Sequence, residues 1–465
     1  MPTECSADCF DFGEVEGRAV EAAFDGGLVT SDAGALLLKA TDEAIGLIER
    51  FAACFHDERR PELIEHKVGT LVGQRVFGIA LGYEDLNDHD ELRHDPLMAV
   101  LAGKLSSKRA GCAPVAGKST LNRLELSKLE PTRYHKISHN PAKINRLFID
   151  LFLAAHQRPP RRIVLDLDAT DDPVHGEQEG RFFHGYYDCY CYLPLYVFCG
   201  RHLLLAKLRR ADGDAAAGVV EEVKRLVTHI RARWPNTDIL LRGDADFARD
   251  ALMRWCEADH VNFVLGVGRN ERLLAEIAPE LDRAAAASAR TGRAERRFKS
   301  FMWTTRRTWS RPRRVVAKAE WANGEANPRF VVTSLTRRQC KAKDLYEKVY
   351  CARGDMENRI KECQLDLFAD RTSTATMRAN QLRLWFYSMA YVLLCALRRI
   401  GLHDTDLAAA TCGTIRLKLL KIGALVRISV RRIRIAMASA CPSAPIWGTA
   451  AVRLALAARA RAGPA

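Results

Sequence analysis

Hydrophobic residues recur at two spacings along this chain, and each spacing predicts a different kind of structure. Up to about residue 155 they recur roughly every 3.6 residues, most clearly in 63–83, which predicts amphipathic helices. Later apolar runs bounded by turn residues predict strands at 163–170, 190–199, 202–211, 238–244 and 261–268, with helices at 213–234 and 247–258. The order β-ββ-α-β-α-β-α predicts an α/β domain whose first three strands have no crossover helix.

This order of elements favours a ribonuclease-H-like layered sandwich over a doubly wound nucleotide-binding fold. The Pro/Arg run 158–162 marks where the domain begins. Two further strands, 313–321 and 329–335, flank the hairpin pair Asn323-Gly324 and predict a β-rich insertion at about 270–342. We therefore expect a helical region at 1–158, the α/β core at 159–400, and a helical, basic region at 401–465.

Composition narrows the partners and the compartment. The 465 residues carry a formal net charge of +14, and a basic balance favours polyanions, nucleic acid first. Fourteen cysteines contain no CxxC pair, and the N-terminus has no apolar signal region. The apolar stretch 384–397 is too short to cross a bilayer, which predicts a buried helix. These features predict a reduced intracellular location and no membrane association.

Three acidic residues carry the candidate chemistry. Asp168 stands on the first predicted strand, Asp244 at the end of the fourth and Glu357 on the last helix. Three converging carboxylates could hold two divalent metals, which activate a water or a 3′-hydroxyl against a phosphodiester. Along the helix, at about 100° per residue, Tyr350, Arg353, Glu357, Lys361 and Gln364 share one face.

Each acidic position has an alternative. Asp166 projects from the same strand face as Asp168 and could be its electrostatic neighbour. Asp246 competes with Asp244, although Asp244 ends the apolar strand while Asp246 begins the following loop. Glu357 could belong to an ordinary amphipathic helix with i,i+4 ion pairs.

The motifs together resemble a known family. Asp168-x-Thr170, Arg242-Gly243-Asp244 and the helix Tyr350-x-x-Arg353-Gly-x-x-Glu357-Asn-x-Ile-Lys361-Glu resemble the DDE transposases of bacterial insertion sequences, most closely the insertion sequence 1380 family. Segments 74–96, 119–125 and 182–200 are similar as well, so the resemblance covers almost the whole chain.

The resemblance implies a cut-and-paste DNA transposase. Its catalytic, metal-binding residues would be Asp168, Asp244 and Glu357, with two Mg²⁺ ions and Mn²⁺ as a substitute. The helical N-terminal region would bind terminal inverted repeats, a homodimer would join two DNA ends in a synaptic complex, and target DNA would accept them. The location would be the bacterial cytoplasm, at the nucleoid. Two alternatives stay open: a catalytically inactive DNA-binding regulator, and an RNase H-like nuclease without strand transfer.

One position departs from the family pattern, and several DNA contacts are weaker expectations. Gln364 stands where the family has lysine, and Lys361 could supply that cation. The other expected DNA-binding residues are Tyr350, Arg353, Trp303, Trp309, Arg306, Arg307 and Arg123. The tryptophans could hold a flipped base during hairpin excision, or simply pack a β subdomain. The cations of 416–434 could bind transposon ends or merely coat a helix.

Overall fold

A computed structural model describes residues 9–463 of the chain. Its strands are β1 (Phe10–Val15), β2 (Arg18–Ala22), β3 (Val29–Thr30), β4 (Phe55–Asp57), β5 (Ile137–His139), β6 (Arg162–Ala169), β7 (Asp172–Pro173), β8 (Phe182–His184), β9 (Cys189–Tyr192), β10 (Leu195–Cys199), β11 (His202–Lys207), β12 (Asp238–Gly243), β13 (Asn262–Val267), β14 (Glu295–Trp303), β15 (Arg313–Ala322), β16 (Glu325–Ala326), β17 (Arg329–Thr333), β18 (Ala424–Ile428) and β19 (Ile433–Met437).

The α-helices are α1 (Leu36–Ile45), α2 (Leu47–Ala52), α3 (Val68–Leu81), α4 (His89–Leu92), α5 (Pro96–Leu101), α6 (Lys118–Glu125), α7 (Pro141–Ala154), α8 (Val219–Arg233), α9 (Asp250–Ala258), α10 (Glu271–Thr291), α11 (Ala342–Asp344), α12 (Gly354–Lys361), α13 (Met377–Ile400), α14 (Cys412–Ile415) and α15 (Ala444–Ala462). Short 3₁₀ turns occupy 33–35, 61–63, 245–247 and 351–353, and π-helical turns occupy 345–350, 362–366 and 416–420.

The chain divides into two compact units. Among the described residues, one comprises 9–139 together with 389–463, and the other comprises 140–388. These limits differ from the boundaries expected at 158 and 400 for a simple reason. Helix α7 packs on β11 and α8, so it belongs with the sheet, and α13 crosses the boundary between the units.

A mixed nine-stranded sheet forms the centre of the second unit, with the strand order β11-β10-β6-β12-β13-β17-β15-β14 and β16 beside β15. Strands β6, β12 and β13 run parallel, and the remaining pairs are antiparallel. Helices α7 to α10 contribute to the larger hydrophobic core, which includes Phe152, Leu226 and Phe263. A smaller core around Val264 and Tyr346 includes the helical segment that follows α11. The predicted mixed α/β class is confirmed.

The segment expected to be a β-rich insertion needs a correction. It opens with the 21-residue helix α10, and strands β14 to β17 extend the central sheet instead of forming a separate β layer. Leu273 and Ile277 recur at helical spacing and are buried in the larger core, which explains the helix. The predicted Asn323-Gly324 turn is confirmed: both residues have positive φ, 53° and 79°.

The C-terminal region, expected to be helical, contains a β-hairpin as well as helices. Strands β18 and β19 pair antiparallel, and β18 also pairs with β3 in the first unit. The apolar residues of 424–437 alternate in the strand period, which overrides the helical interpretation of 415–435. Within residues 9–463 no helix is long and apolar enough to cross a membrane.

Candidate active site

Three elements of the second unit bring the predicted acids together. Asp168 lies near the carboxyl end of β6, and Asp244 follows the carboxyl end of the neighbouring parallel strand β12. Parallel neighbours end at the same edge of a sheet, so their terminal side chains meet. Glu357 lies on α12, which packs against β6.

The guanidinium of Arg353 is the common partner of all three acids. Its Nη2 lies 2.8 Å from Asp168 Oδ1 and 3.5 Å from Asp244 Oδ2, and its Nη1 lies 3.2 Å from Glu357 Oε1. One cationic side chain therefore occupies the centre of a three-carboxylate cluster. Arg353 is buried, and its Nε has no hydrogen-bond partner among residues 9–463.

The charge balance of this cluster is visible in the pKa of its members. Burial raises the pKa of Asp168 to about 7; Arg353 opposes the rise, while Asp244 and Glu357 add to it. Burial also raises the pKa of Asp244, against the effect of Arg353 and with a contribution from Asp246. The pKa of Arg353 is raised by the carboxylates although burial works the other way. One guanidinium thus faces three carboxylates, and the cluster has an excess of acidic groups.

The competing acids have other positions. Both oxygens of Asp166 accept hydrogen bonds from Arg242, from Nε at 2.6 Å and Nη2 at 2.8 Å. Arg242 Nη1 also donates to the carbonyl of Val349, which joins β12 to the start of the helical segment. Asp246 is exposed; its backbone N–H donates to Asp244 Oδ1 at 3.0 Å. Asp244, not Asp246, therefore faces Arg353.

Gln364 occupies the position where the family has lysine, and its side chain makes a hydrogen bond within the fold. Its Nε2 donates to the backbone carbonyl of Asp171 at 3.1 Å. This bond ties the end of the helical segment to the chain just after β6. Lys361, one turn before, is exposed and has no ionic partner in the described part of the chain.

Tyr350 approaches the site from the π-helical turn that precedes Arg353. Its pKa is raised by burial, lowered by Arg353 and raised by Asp244. The approach depends on Gly266 of β13, where a Cβ would lie 2.7 Å from the Tyr350 hydroxyl and 2.9 Å from the backbone nitrogen of Ala245. Sequence reasoning missed Gly266; a glycine inside a predicted buried strand was the available signal.

The remaining predicted DNA contacts lie elsewhere. Trp303 and Trp309 are half-buried and pack against the larger core, with Arg272 at 4.4 Å from the Trp303 ring and Arg313 at 5.8 Å from the Trp309 ring. Arg306 and Arg307 are exposed in the loop between β14 and β15, and Arg123 is exposed on α6 of the first unit. None of these residues is among the contacts of Arg353.

The donor set suits a hard divalent cation, although the cluster is arranged around Arg353. Within residues 9–463, no group of three or more His, Cys, Asp or Glu side chains is arranged to hold a metal. Asp168 Oδ1 and Asp244 Oδ2 nevertheless contact the same nitrogen, so they already lie around one positive charge. Carboxylate oxygens are the ligands that Mg²⁺ prefers.

Comparison with known proteins gives one family match. The family model described as transposase DDE domain group 1 matches residues 12–459. Among solved structures, the piggyBac transposase synaptic complex with hairpin DNA, determined by cryo-EM, is similar over 84% of this chain and 80% of that chain, with 13% identity and a TM-score of 0.40. No curated protein sequence matches the chain.

Proposed function

The chain belongs to the group 1 family of transposases with a DDE domain, and from that premise we propose that it is a metal-dependent DNA transposase. Its reaction would be cleavage of DNA strands at the element ends, followed by joining of the 3′ ends to target DNA. The observation that carries the proposal is the convergence of Asp168, Asp244 and Glu357 on one guanidinium.

The three carboxylates are the residues proposed to hold divalent cations, two Mg²⁺ ions by resemblance, with Mn²⁺ as a substitute. When bound, a pair of such ions stabilises the attacking and leaving oxygens of an in-line phosphodiester displacement. No protein side chain has to become covalently attached to DNA. Asp168, Asp244 and Glu357 need only remain ionised, and Arg353 has to yield its central position.

The cationic side chains around the acids have a separate role in this proposal. Arg353, released from the carboxylates, and the exposed Lys361 would neutralise phosphates beside the scissile bond. Tyr350 would hydrogen-bond or stack at the same place. The pairing of Asp166 with Arg242 supports assigning Asp166 a structural role.

The finer features of the proposal rest on resemblance. They are an RNase H-like core, membership of the bacterial insertion sequence 1380 family, recognition of terminal inverted repeats, a homodimeric synaptic complex, and excision through a DNA hairpin. The order β11-β10-β6-β12-β13 supports the first of these, because β6 is central and the first three core strands are antiparallel. Trp303 would hold a flipped base in the excision step. The proposed place of action is the bacterial cytoplasm, at the nucleoid.

A cleavage assay on DNA carrying the element ends tests the proposal. We expect Asp168→Asn, Asp244→Asn and Glu357→Gln each to lower Mg²⁺-dependent strand cleavage about a thousand-fold or more, while DNA binding is retained. Asp246→Asn is the matched control, because it removes an exposed acid of the same loop, and it should cleave nearly normally.

The products distinguish the proposal from its alternatives. Wild-type protein should yield element ends joined to target DNA. Cleaved but never joined ends would indicate a nuclease, and absence of Mg²⁺-dependent cleavage would indicate an inactive DNA-binding protein. Normal cleavage by any of the three variants would contradict the assignment of the acids.

A further inference from the structure

The hairpin of β18 and β19 has two chemically different faces. Antiparallel pairing places Val426 opposite Ile435 and Ile428 opposite Ile433, so these four share the apolar face. The other face carries Arg427, Ser429, Arg432 and Arg434. We call this second set, together with Arg431 in the turn, the arginine face.

The arginine face is exposed, and no acidic side chain of the described residues neutralises its charge. All four arginines of the hairpin are exposed. Within residues 9–463 none of their guanidinium groups has a salt-bridge or hydrogen-bond partner. The fully exposed Val430 lies beside Arg431 at the tip, where Ser429 and Arg432 close the turn with a 2.9 Å backbone hydrogen bond.

The register makes this arrangement costly for the free chain. Arg427 lies directly opposite Arg434, and like charges at directly opposed positions destabilise an antiparallel pair. A bound polyanion would remove that repulsion. The surrounding sequence has the same sign of charge: the chain after Asp406 contains ten Lys and Arg residues, the four of the hairpin included, and no Asp or Glu.

Three other cations of this region are used within the fold, unlike the arginines of the hairpin. Lys421 pairs with Asp32 at 2.8 Å, Arg461 pairs with Glu49 at 3.3 Å, and Arg416 donates to the carbonyl of Ala80 at 3.0 Å. The four hairpin arginines have no comparable side-chain contact within the described residues.

We propose that the arginine face of the β18–β19 hairpin is a binding surface for duplex DNA. A two-stranded ribbon has the dimensions to enter a DNA groove, and arginines contact the flanking phosphates. Pairing of β18 with the chain around β3 ends at Val426, whose N–H donates to the carbonyl of Leu28, and residues 427–432 beyond it are exposed. The inference rests on the proposed function in taking DNA as the polyanion.

Salt-dependent binding to a mixed-sequence duplex about three helical turns long tests this surface. The hairpin variant Arg432→Gln with Arg434→Gln should bind about tenfold more weakly, and its log–log salt slope should fall by about two. The control variant, Lys418→Gln with Arg459→Gln, removes two other exposed charges of the same region and should bind nearly as wild type. Equal losses in both variants, or wild-type binding by the hairpin variant, would overturn the proposal.

A single substitution separates binding from folding. Arg427→Glu places opposite charges across the hairpin from Arg434, so the melting temperature of the free protein should stay the same or rise. DNA binding by this variant should nevertheless weaken. Undiminished DNA binding by Arg427→Glu would overturn the proposal. The proposal would also fail if Arg427→Glu weakened binding to anionic phospholipid vesicles and left binding to DNA unchanged.

These outcomes are distinct from failure of the proposed function. If the wild type binds DNA through the hairpin but never cleaves it, the transposase proposal fails and the hairpin inference stands. If cleavage and joining occur while hairpin variants bind normally, the inference fails and the transposase proposal stands.

Discussion

Asp166 and Asp168 lie two residues apart on β6, and each faces an arginine, yet their surroundings differ in charge. Asp166 is the only acid among the described residues that pairs with Arg242, and two hydrogen bonds join them. Asp168 shares Arg353 with Asp244 and Glu357. The first pair is balanced, whereas the second cluster has three acids for one cation. Asp166 is therefore an acid whose charge is neutralised within the fold, and Asp168 belongs to a cluster with excess negative charge.

The largest effect should come from breaking the balanced pair. Asp166→Ala leaves the buried Arg242 without its carboxylate, and removal of one partner of a buried ion pair costs about 3–5 kcal/mol of unfolding free energy. Asp168→Ala should cost much less, because it relieves repulsion within the cluster. Denaturant unfolding measures both, and equal losses would erase the distinction between the two aspartates.

A smaller and conditional effect should follow the loss of Arg353. In the presence of a chelator, Arg353→Gln should lower the free energy of unfolding by about 1.5–3 kcal/mol, since three carboxylates lose a charged partner. Adding Mg²⁺ should raise the melting temperature of this variant more than that of wild type, because no guanidinium competes for the acids.

Arg242→Gln is the control for that experiment. It also removes a buried arginine beside β6, but Asp166 stands outside the three-acid cluster, so Mg²⁺ should not restore its stability. Equal Mg²⁺ stabilisation of both variants would argue against a cation site at the cluster.

In the metal-free protein, the free energy of unfolding should depend on pH through Asp168. The folded pKa of Asp168 is raised from 3.8 to about 7 by burial, against Arg353 and together with its acidic neighbours. Between those values the folded state binds a proton that the unfolded chain has lost, so this group makes stability fall as pH rises, with no further change above about 7. Asp168→Asn should flatten that part of the stability curve. An unchanged slope would remove Asp168 as the titrating group.

The sequence pattern placed β6 and β10 to β13 within a few residues of their observed bounds, except that the run 190–199 forms two strands, and it singled out the three acids that lie around Arg353. Asp168 and Asp244 could be placed because apolar strands lead directly to them, and Glu357 because its helix has a clear anchoring face. The partners of these acids could not be predicted. Whether Arg353 turns inward to carboxylates or outward to phosphates depends on β6, β12 and α12 meeting, and no local pattern encodes that.

Two other regions show why local pattern was insufficient. Residues 424–437 alternate Val426, Ile428, Ile433 and Ile435 in the strand period, but the neighbouring leucines and lysines gave a competing helical pattern. In 270–342 the basic and aromatic character suggested a separate β subdomain. Strand β17 instead pairs with β13, and this long-range pairing depends on the rest of the sheet.

The most direct test of the three-acid site is an anomalous difference map from crystals of the wild-type protein grown with Mn²⁺. We expect Mn²⁺ to be bound by Asp168 and Asp244, with the Arg353 guanidinium displaced from its position between them. Crystals in which Arg353 keeps all three carboxylates while Mn²⁺ binds at other residues would contradict it.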